Sequence, residues 1–299
     1  MRRARFFWIL LLLTSACGQP ATSAGRSDPV VLATTSILAD IVRNVAGDRA
    51  EVASLLPIGA DQHSYQLTPQ DIAKISESDL IILNGAGYER FLEPALEAQG
   101  AGEEEMIVEA SAGSRLRGDA QGEHGIDPHL WLDPNNVIAF VENIREGLTH
   151  FDPEGAAEFQ ANAKAYTGEL TALNMWIEEQ VNQIPPERRL LVTDHEAFGY
   201  FAERYGFTVI GTVVESFSTD ASPSAQQMAG LIDQIKASGA PAIFLDAADN
   251  PELAQQIAGE TGVRVVADLH LESLTDGAPA ATYIDMMKYN VTQIMNALK

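Results

Sequence analysis

Residues 152–186 read DPEGAAEFQANAKAYTGELTALNMWIEEQVNQIPP, and how this run is taken decides the fold. No proline stands between Pro153 and Pro185, Gly168 is the only glycine after Gly155, and Ala, Glu and Gln dominate. Each of these features favours an uninterrupted helix. Phe159, Ala163, Tyr166, Leu170, Leu173, Ile177 and Val181 return every three or four residues and form one apolar stripe. About 30 residues rising 1.5 Å each make a helix of roughly 45 Å. As the only covalent link between the two halves of the chain, such a helix, expected over 152–184, acts as a stiff spine and not as a flexible hinge.

Outward from the spine, both halves alternate strand and helix. On the N-terminal side PVVLATT (29–35) is a β-branched run followed by SILADIVRNVAGD (36–48), where Ile37, Ile41 and Val45 keep helical spacing and Gly47 is a stop. AEVASLLP (50–57) is the next strand. TPQDIAKISES (68–78) opens a helix with Thr68 as N-cap and Pro69 as first helical residue, and DLIILNG (79–85) is a buried strand. The C-terminal side repeats the order: RLLVTD (189–194), the helical HEAFGYFAERYG (195–206), FTVIGTVVE (207–215), SPSAQQMAGLIDQIKASG (222–239) with a Ser-Pro start, and PAIFLD (241–246). The expected fold is therefore α/β: two similar lobes with mainly parallel sheets, over 29–151 and 185–299, linked by one long rigid helix.

The composition of the 299 residues, 46% hydrophobic and 20% charged, is that of a globular chain. A formal net charge of −23 repels nucleic acid and anionic lipid, so neither is expected as a partner. At the N-terminus, basic MRRAR is followed by apolar FFWILLLL and then TSAC, which ends at the sole cysteine, Cys17. That apolar run falls short of the roughly 20 residues of a membrane span and reads as a signal peptide over 1–16. Ser15 and Ala16 before Cys17 resemble a bacterial lipoprotein cleavage box, with Thr14 where leucine is more usual. The expectation is a lipidated Cys17, a flexible tether over 17–28 and an extracytoplasmic, membrane-anchored body. An ordinary secretory signal cleaved nearby is the alternative.

In open α/β sheets, ligands bind beyond the carboxyl ends of strands, and in two-lobed proteins the cleft between lobes is the usual place. Of six histidines, three fall in strand-end loops: His63 in GADQHSYQLTPQD, His129 in DPHLWLDP just ahead of the spine, and His195 after LLVTD at the start of a helix. Each alone is more often a surface or capping residue, but together they are a candidate metal set. Three imidazoles and one carboxylate fill a tetrahedral shell and leave no position for a reactive water, which favours carriage over catalysis.

DQHSYQLTPQD (61–71), DPHLWLDP (127–134), VTDHEAFGYFAERYGF (192–207) and ESL…ATYIDMMKYNV (272–291) resemble, in order, the segments that mark the zinc/manganese solute-binding lipoproteins of bacterial ABC transporters, the metal-binding cluster A-I group. The resemblance runs from about Val30 to Lys299. It implies His63, His129 and His195 as metal ligands, and Glu272 as the fourth, where the family usually carries Asp. Asp268 is a rival for that place. It also implies one ion per chain, delivery to a membrane permease, and a monomer. Two further departures are Ser222, where relatives often have Glu before the proline, and the short RGDAQGEHGID (117–127) in place of a long His-rich loop. Three imidazoles and one carboxylate favour Zn(II) over Mn(II) on ligand softness, since manganese sites in the family tend toward two of each.

A ligating imidazole usually donates its other N–H to a carboxylate or carbonyl. Asp61, Asp127 and Asp194 stand close enough to serve, and each also sits where a turn or cap uses an aspartate, the cap reading being favoured for Asp194. Trp131 and Phe198 are read as walls that exclude water, or as ordinary interface packing. The competing functions are a secreted zinc hydrolase with Glu196 as general base, which lacks an HExxH pair or nucleophile motif, and an adhesin or zinc store using the same site.

Overall fold

A computed structural model describes residues 29–98, 107–119, 125–219 and 222–299. The expected signal peptide over 1–16, Cys17 and the expected tether over 17–28 lie outside the described residues. Among the described residues no helix is long and apolar enough to cross a membrane.

The first lobe runs β1 (Val30–Ala33), α1 (Ser36–Ala46), β2 (Glu51–Ser54), α2 (Pro69–Glu77), β3 (Leu80–Leu83), α3 (Glu93–Ala98) and β4 (Ile107–Glu109). Its four strands are all parallel, in the order β2-β1-β3-β4. A short antiparallel hairpin, β5 (Arg117–Asp119) and β6 (Gly125–Asp127), follows, and then α4 (Pro134–Phe151) and α5 (Ala156–Val181). The second lobe runs β7 (Leu190–Thr193), α6 (Gly199–Tyr205), β8 (Thr208–Thr212), α7 (Ala225–Ser238), β9 (Ala242–Asp246), α8 (Glu252–Thr261), β10 (Arg264–Leu269) and α9 (Tyr283–Leu298). Its sheet order, β10-β9-β7-β8, is the first lobe's order repeated: the lobe's first strand lies between its second and third, and its fourth is at the far edge. The two lobes share one topology.

The caps explain the element starts. Thr68 accepts from the Asp71 N–H in a capping box with Pro69 in the first turn, as the sequence predicts. In the second lobe the cap is Ser224, not Ser222: Ser224 and Gln227 form the capping box, and α7 begins two residues later than the Ser-Pro pair indicates. The spine, α5, has 26 residues, about 39 Å at 1.5 Å each, because Pro153–Gly155 form a separate 3-10 turn before it. DPHLWLDP does not adjoin it: Asp133 caps and Pro134 opens the 18-residue α4, which intervenes.

The strands split their side chains between two faces. Val31, Ala33, Leu80 and Ile82 point to the inner core, while Leu32, Ile81 and Leu83 join Ile75 of α2 on the outer face. Val192, Ile243 and Leu245 do the same with Ile235 of α7 in the second lobe. The inner core is continuous across the molecule. It runs from Val31 and Ile41 through Leu170 and Ile177 of α5 to Phe244, Val291 and Ile294, with α5 packed on α1, α4 and α9.

Candidate metal centre

The two sheets present the carboxyl ends of their strands to the cleft, and the sequence's candidate residues meet there. His63 follows β2 in the loop before α2. His129 follows the hairpin strand β6. His195 follows β7, four residues before α6 begins, so it sits in a turn and not in the first helical turn. Glu272 follows β10. One ligand-type atom from each of the four lies within 4.8 Å of the others. His129 and His195 are fully buried, Glu272 is nearly so, and His63 is half-buried. Asp268 stands on the exposed side of β10 and accepts from the Tyr289 hydroxyl at 2.8 Å, outside this cluster. Glu196 is outside it as well.

His129 Nε2 and His195 Nε2 are 3.2 Å apart, and Glu272 Oε1 is 3.2 Å from the first and 3.5 Å from the second. Yet Glu272 Oε1 accepts no hydrogen bond, and the buried His63 Nε2 has no partner either. The two imidazole nitrogens are within hydrogen-bond distance of each other, but Glu272 Oε1 and His63 Nε2 have contact distance without donor alignment, the geometry of atoms aimed at a common point. Buried polar atoms left in this way cost free energy unless something else satisfies them.

Behind the cluster each group is held. Asp127 Oδ1 accepts from both the backbone N–H of His129 at 3.0 Å and its Nδ1 at 2.9 Å. His195 Nδ1 bonds Asp194 Oδ2 at 2.5 Å, so Asp194 orients a ring instead of capping α6. Asp61 does not touch the His63 ring. Its Oδ1 accepts from the His63 backbone N–H at 2.9 Å, and its Oδ2 accepts from Thr219 Oγ1 of the other lobe at 2.7 Å. Glu272 Oε2 accepts from Gln62 Nε2 at 2.5 Å and the Tyr88 hydroxyl at 3.2 Å. Its backbone N–H and that of Leu271 both donate to Asp246 Oδ2.

Trp131 packs at 5.3 Å from the His129 ring and 5.2 Å from Tyr88, and its Nε1–H donates to Leu271 O at 2.8 Å. It both walls the cluster and ties the His129 segment to the Glu272 segment. Phe198 instead packs against Phe201, 5.8 Å away, within its own lobe. Gly199 is required where it stands: a Cβ there would meet Asp127 Oδ2 at 2.5 Å and Arg117 Nε at 2.8 Å. That Arg117 Nε lies 3.7 Å from Asp127 Oδ2 and balances the buried carboxylate.

Sequence reasoning missed Gln62, Tyr88 and Asp246. Tyr88 lies in the loop after β3 and Asp246 ends β9, so the strand-end rule that finds the histidines also reaches them. Glu89 keeps Tyr88 in place by accepting from Thr34 Oγ1 at 2.9 Å and from the N–H groups of Asn84 and Gly85, and burial pushes its carboxyl up to about 7.

The electrostatics divide the cluster. Burial drives the His63 imidazole down to about 4, against the pull of the Glu272 carboxylate. Burial also opposes charge on His129, but Glu272 and Asp127 outweigh it and raise its affinity for a proton. His195 rises well above the ordinary imidazole value, because Asp194 and Glu272 overcome its burial. Burial works against the Glu272 carboxylate, yet the three imidazoles hold it well below the usual range. At neutral pH the carboxylate is charged and His63 is neutral. Asp249 is pushed up to about 9 by burial and by the neighbouring Asp194.

Two parallel-sheet lobes on a helical spine, with imidazoles and a carboxylate gathered in the cleft, define a two-lobed solute-binding protein. The chain belongs to the family described as ZnuA, zinc-uptake complex component A periplasmic, whose sequence model matches residues 31–297. It is 32% identical to the manganese-binding lipoprotein MntA of Halalkalibacterium halodurans, over 100% of this chain and 99% of that protein. It is 31% identical to the manganese ABC transporter substrate-binding lipoprotein PsaA of Streptococcus pneumoniae, over 98% and 96%. The periplasmic zinc-binding protein TroA of Treponema pallidum superposes with a TM-score of 0.83 at 28% identity, over 91% of this chain and 99% of TroA. The Mn-bound periplasmic metal-binding protein of Candidatus Liberibacter asiaticus superposes with a TM-score of 0.79 at 29% identity, over 91% and 100%.

Proposed function

We propose that this protein is the extracytoplasmic receptor of a metal ABC transporter, which captures one Zn(II) on His63, His129, His195 and Glu272 and delivers it to the membrane permease. It works as a monomer anchored through lipidated Cys17. The observation that carries the reading is the pair of buried, unbonded atoms, His63 Nε2 and Glu272 Oε1, set among His129 Nε2 and His195 Nε2. Three imidazoles and one carboxylate complete a tetrahedral shell, and a closed shell binds without activating water. Zinc follows from the donor set, being favoured by imidazole and standing above manganese in affinity for a given site.

Manganese is the second reading, and a specific observation favours it: MntA and PsaA are both named for manganese. Competition decides between them. The full-length chain, purified in detergent and stripped of metal, is titrated with Mn(II) and then challenged with Zn(II). One tight equivalent, lost in His63→Ala and His129→Ala, is the expected result, with Zn(II) displacing Mn(II) at stoichiometric concentration. Turnover of an ester or peptide substrate would replace the receptor with a hydrolase, and many weak equivalents would replace it with a store.

A further inference from the structure

Arg117 and Asp127 stand opposite each other on the β5–β6 hairpin, with their side chains on one face. Asp127 is buried, and its Oδ1 is taken twice by His129. Its Oδ2 is buried with no hydrogen-bond donor. Arg117 is half-buried, and its Nε is buried with no acceptor. These two unpartnered atoms of opposite charge face each other at 3.7 Å, too far for a hydrogen bond but close enough for strong attraction away from water. Among the described residues no other Lys or Arg lies within 4.0 Å of Asp127.

The second lobe holds Arg117 in that place. Glu203 of α6 accepts from its guanidinium and, at 3.0 Å, from Arg115 Nη1. The Arg117 backbone N–H donates to the Tyr200 hydroxyl at 2.9 Å, and that hydroxyl donates to Asp127 O at 3.1 Å. The guanidinium lies 5.7 Å from the Tyr200 ring centroid. A buried carboxylate with one oxygen lacking donors is costly to keep unless a cation stands by it. Arg117 is that cation. Without it the carboxylate gains by turning toward water through the gap the guanidinium leaves, and the bonds of Oδ1 to His129 go with it. The arrangement is the counterpart of Glu272, a second-lobe residue held by Gln62 and Tyr88 of the first lobe.

We propose that Arg117 is a positioning residue of the metal centre, seated by α6 of the second lobe and acting through Asp127 on His129 of the first. The proposal rests on the capture reading. It makes the aim of the His129 ring depend on a contact between the lobes that touches none of the four ligands.

The test is Mn(II) titration of the metal-free full-length chain in detergent, followed by loss of the free-ion electron paramagnetic resonance signal. Arg117→Gln is expected to weaken the tight equivalent about three- to tenfold, short of the 10–100-fold typical of losing a ligand's direct partner. The sign separates this role from net charge, because removing a cation makes an acidic chain more attractive to metal ions. Arg117→Lys, which keeps the charge, is expected to lose less. In an Asp127→Asn background Arg117→Gln is expected to cost nothing further, since residues acting through one another are not additive. A general loss of fold would persist there, and the melting temperature of each metal-free variant reports it separately. Unchanged or tighter binding by Arg117→Gln, a Lys variant as weak as the Gln variant, or a full further loss in the Asp127→Asn background overturns the proposal and leaves the capture reading standing. A wild-type chain without a tight equivalent removes both.

Discussion

One oxygen of Asp127, Oδ1, accepts from His129 twice, from the backbone N–H at 3.0 Å and from the ring Nδ1 at 2.9 Å. The second bond sets the tautomer and turns Nε2 toward the cluster, while the first locks the turn that follows β6. Asp127→Asn keeps an acceptor but loses the charge that polarises the ring. Loss of such a partner typically costs 10–100-fold in metal affinity, and we expect a drop of about that size in the tight equivalent. The check is a metal titration paired with a melting curve. An unchanged affinity would mean that the carboxylate serves the backbone turn alone.

Binding should expel protons. Below the raised values of His129 and His195, these rings carry protons that a metal must displace, whereas His63, lowered to about 4, is already neutral at pH 7. Affinity therefore rises with pH through the raised imidazole values, with roughly one proton released for each charged ring displaced. The linkage sign in the metal-free chain is the opposite. Imidazoles raised on folding stabilise it fully below their unfolded value near 6.5, and that contribution fades as pH rises through their folded values. His63, lowered on folding, opposes this between about 6.5 and 4. The gain in melting temperature from saturating Mn(II) is expected to grow from pH 6 upward. Calorimetry in buffers of different ionisation enthalpy measures the protons directly, and zero release at pH 7 would contradict the assignment.

What was legible in the sequence was whatever a local pattern records. Strand–helix alternation, the Thr68–Pro69 start and the apolar stripe of α5 follow from spacing alone. The histidines were legible because strand ends are where such sheets bind. The cap at Ser224 was legible too, since Gln227 three residues on completes a capping box with it and not with Ser222. Helix α4 is also written in the helical spacing of Val137, Phe140, Val141, Ile144 and Leu148, which separates DPHLWLDP from the spine. The hydrogen bond from Gln62 to Glu272 spans 210 positions and has no local signal. The same is true of Trp131 to Leu271, 140 positions apart. Such contacts exist only once the lobes have packed, so the holders of Glu272 could not be read before the fold was known.

Gly168 offers a test of the spine. It lies exposed inside α5, and a Cβ added there would meet nothing within 4 Å. Glycine in a helix interior costs roughly 0.5–1 kcal/mol relative to alanine, chiefly through the freedom it loses on folding. Gly168→Ala is expected to stabilise the chain by about that amount without altering metal affinity, as measured by urea unfolding. A destabilised variant would show that the helix bends or is contacted at this point.

The spine also limits how far the lobes can move. A hinge that opened widely would have to divide the inner core, which runs unbroken from Val31 through Leu170 and Ile177 to Ile294. Exposing each large side chain costs about 1.5–3 kcal/mol, so even a few would exceed what differential metal binding supplies. Polar links cross the same region: the Tyr283 N–H donates to Asp40 Oδ2 at 2.9 Å, and the Leu274 N–H donates to Ser36 Oγ at 3.0 Å. Near the cluster the connections are lighter. Asp61 holds Thr219 by one side-chain bond, and Gln62 and Tyr88 hold Glu272. Capture and release therefore fall to the strand-end loops. Small-angle scattering of metal-free and Mn(II)-loaded protein is expected to give superimposable profiles. Hydrogen exchange should slow on loading only around residues 61–65, 195–198 and 270–274. A marked metal-dependent fall in the radius of gyration would mean that the core yields where its continuity says it should not.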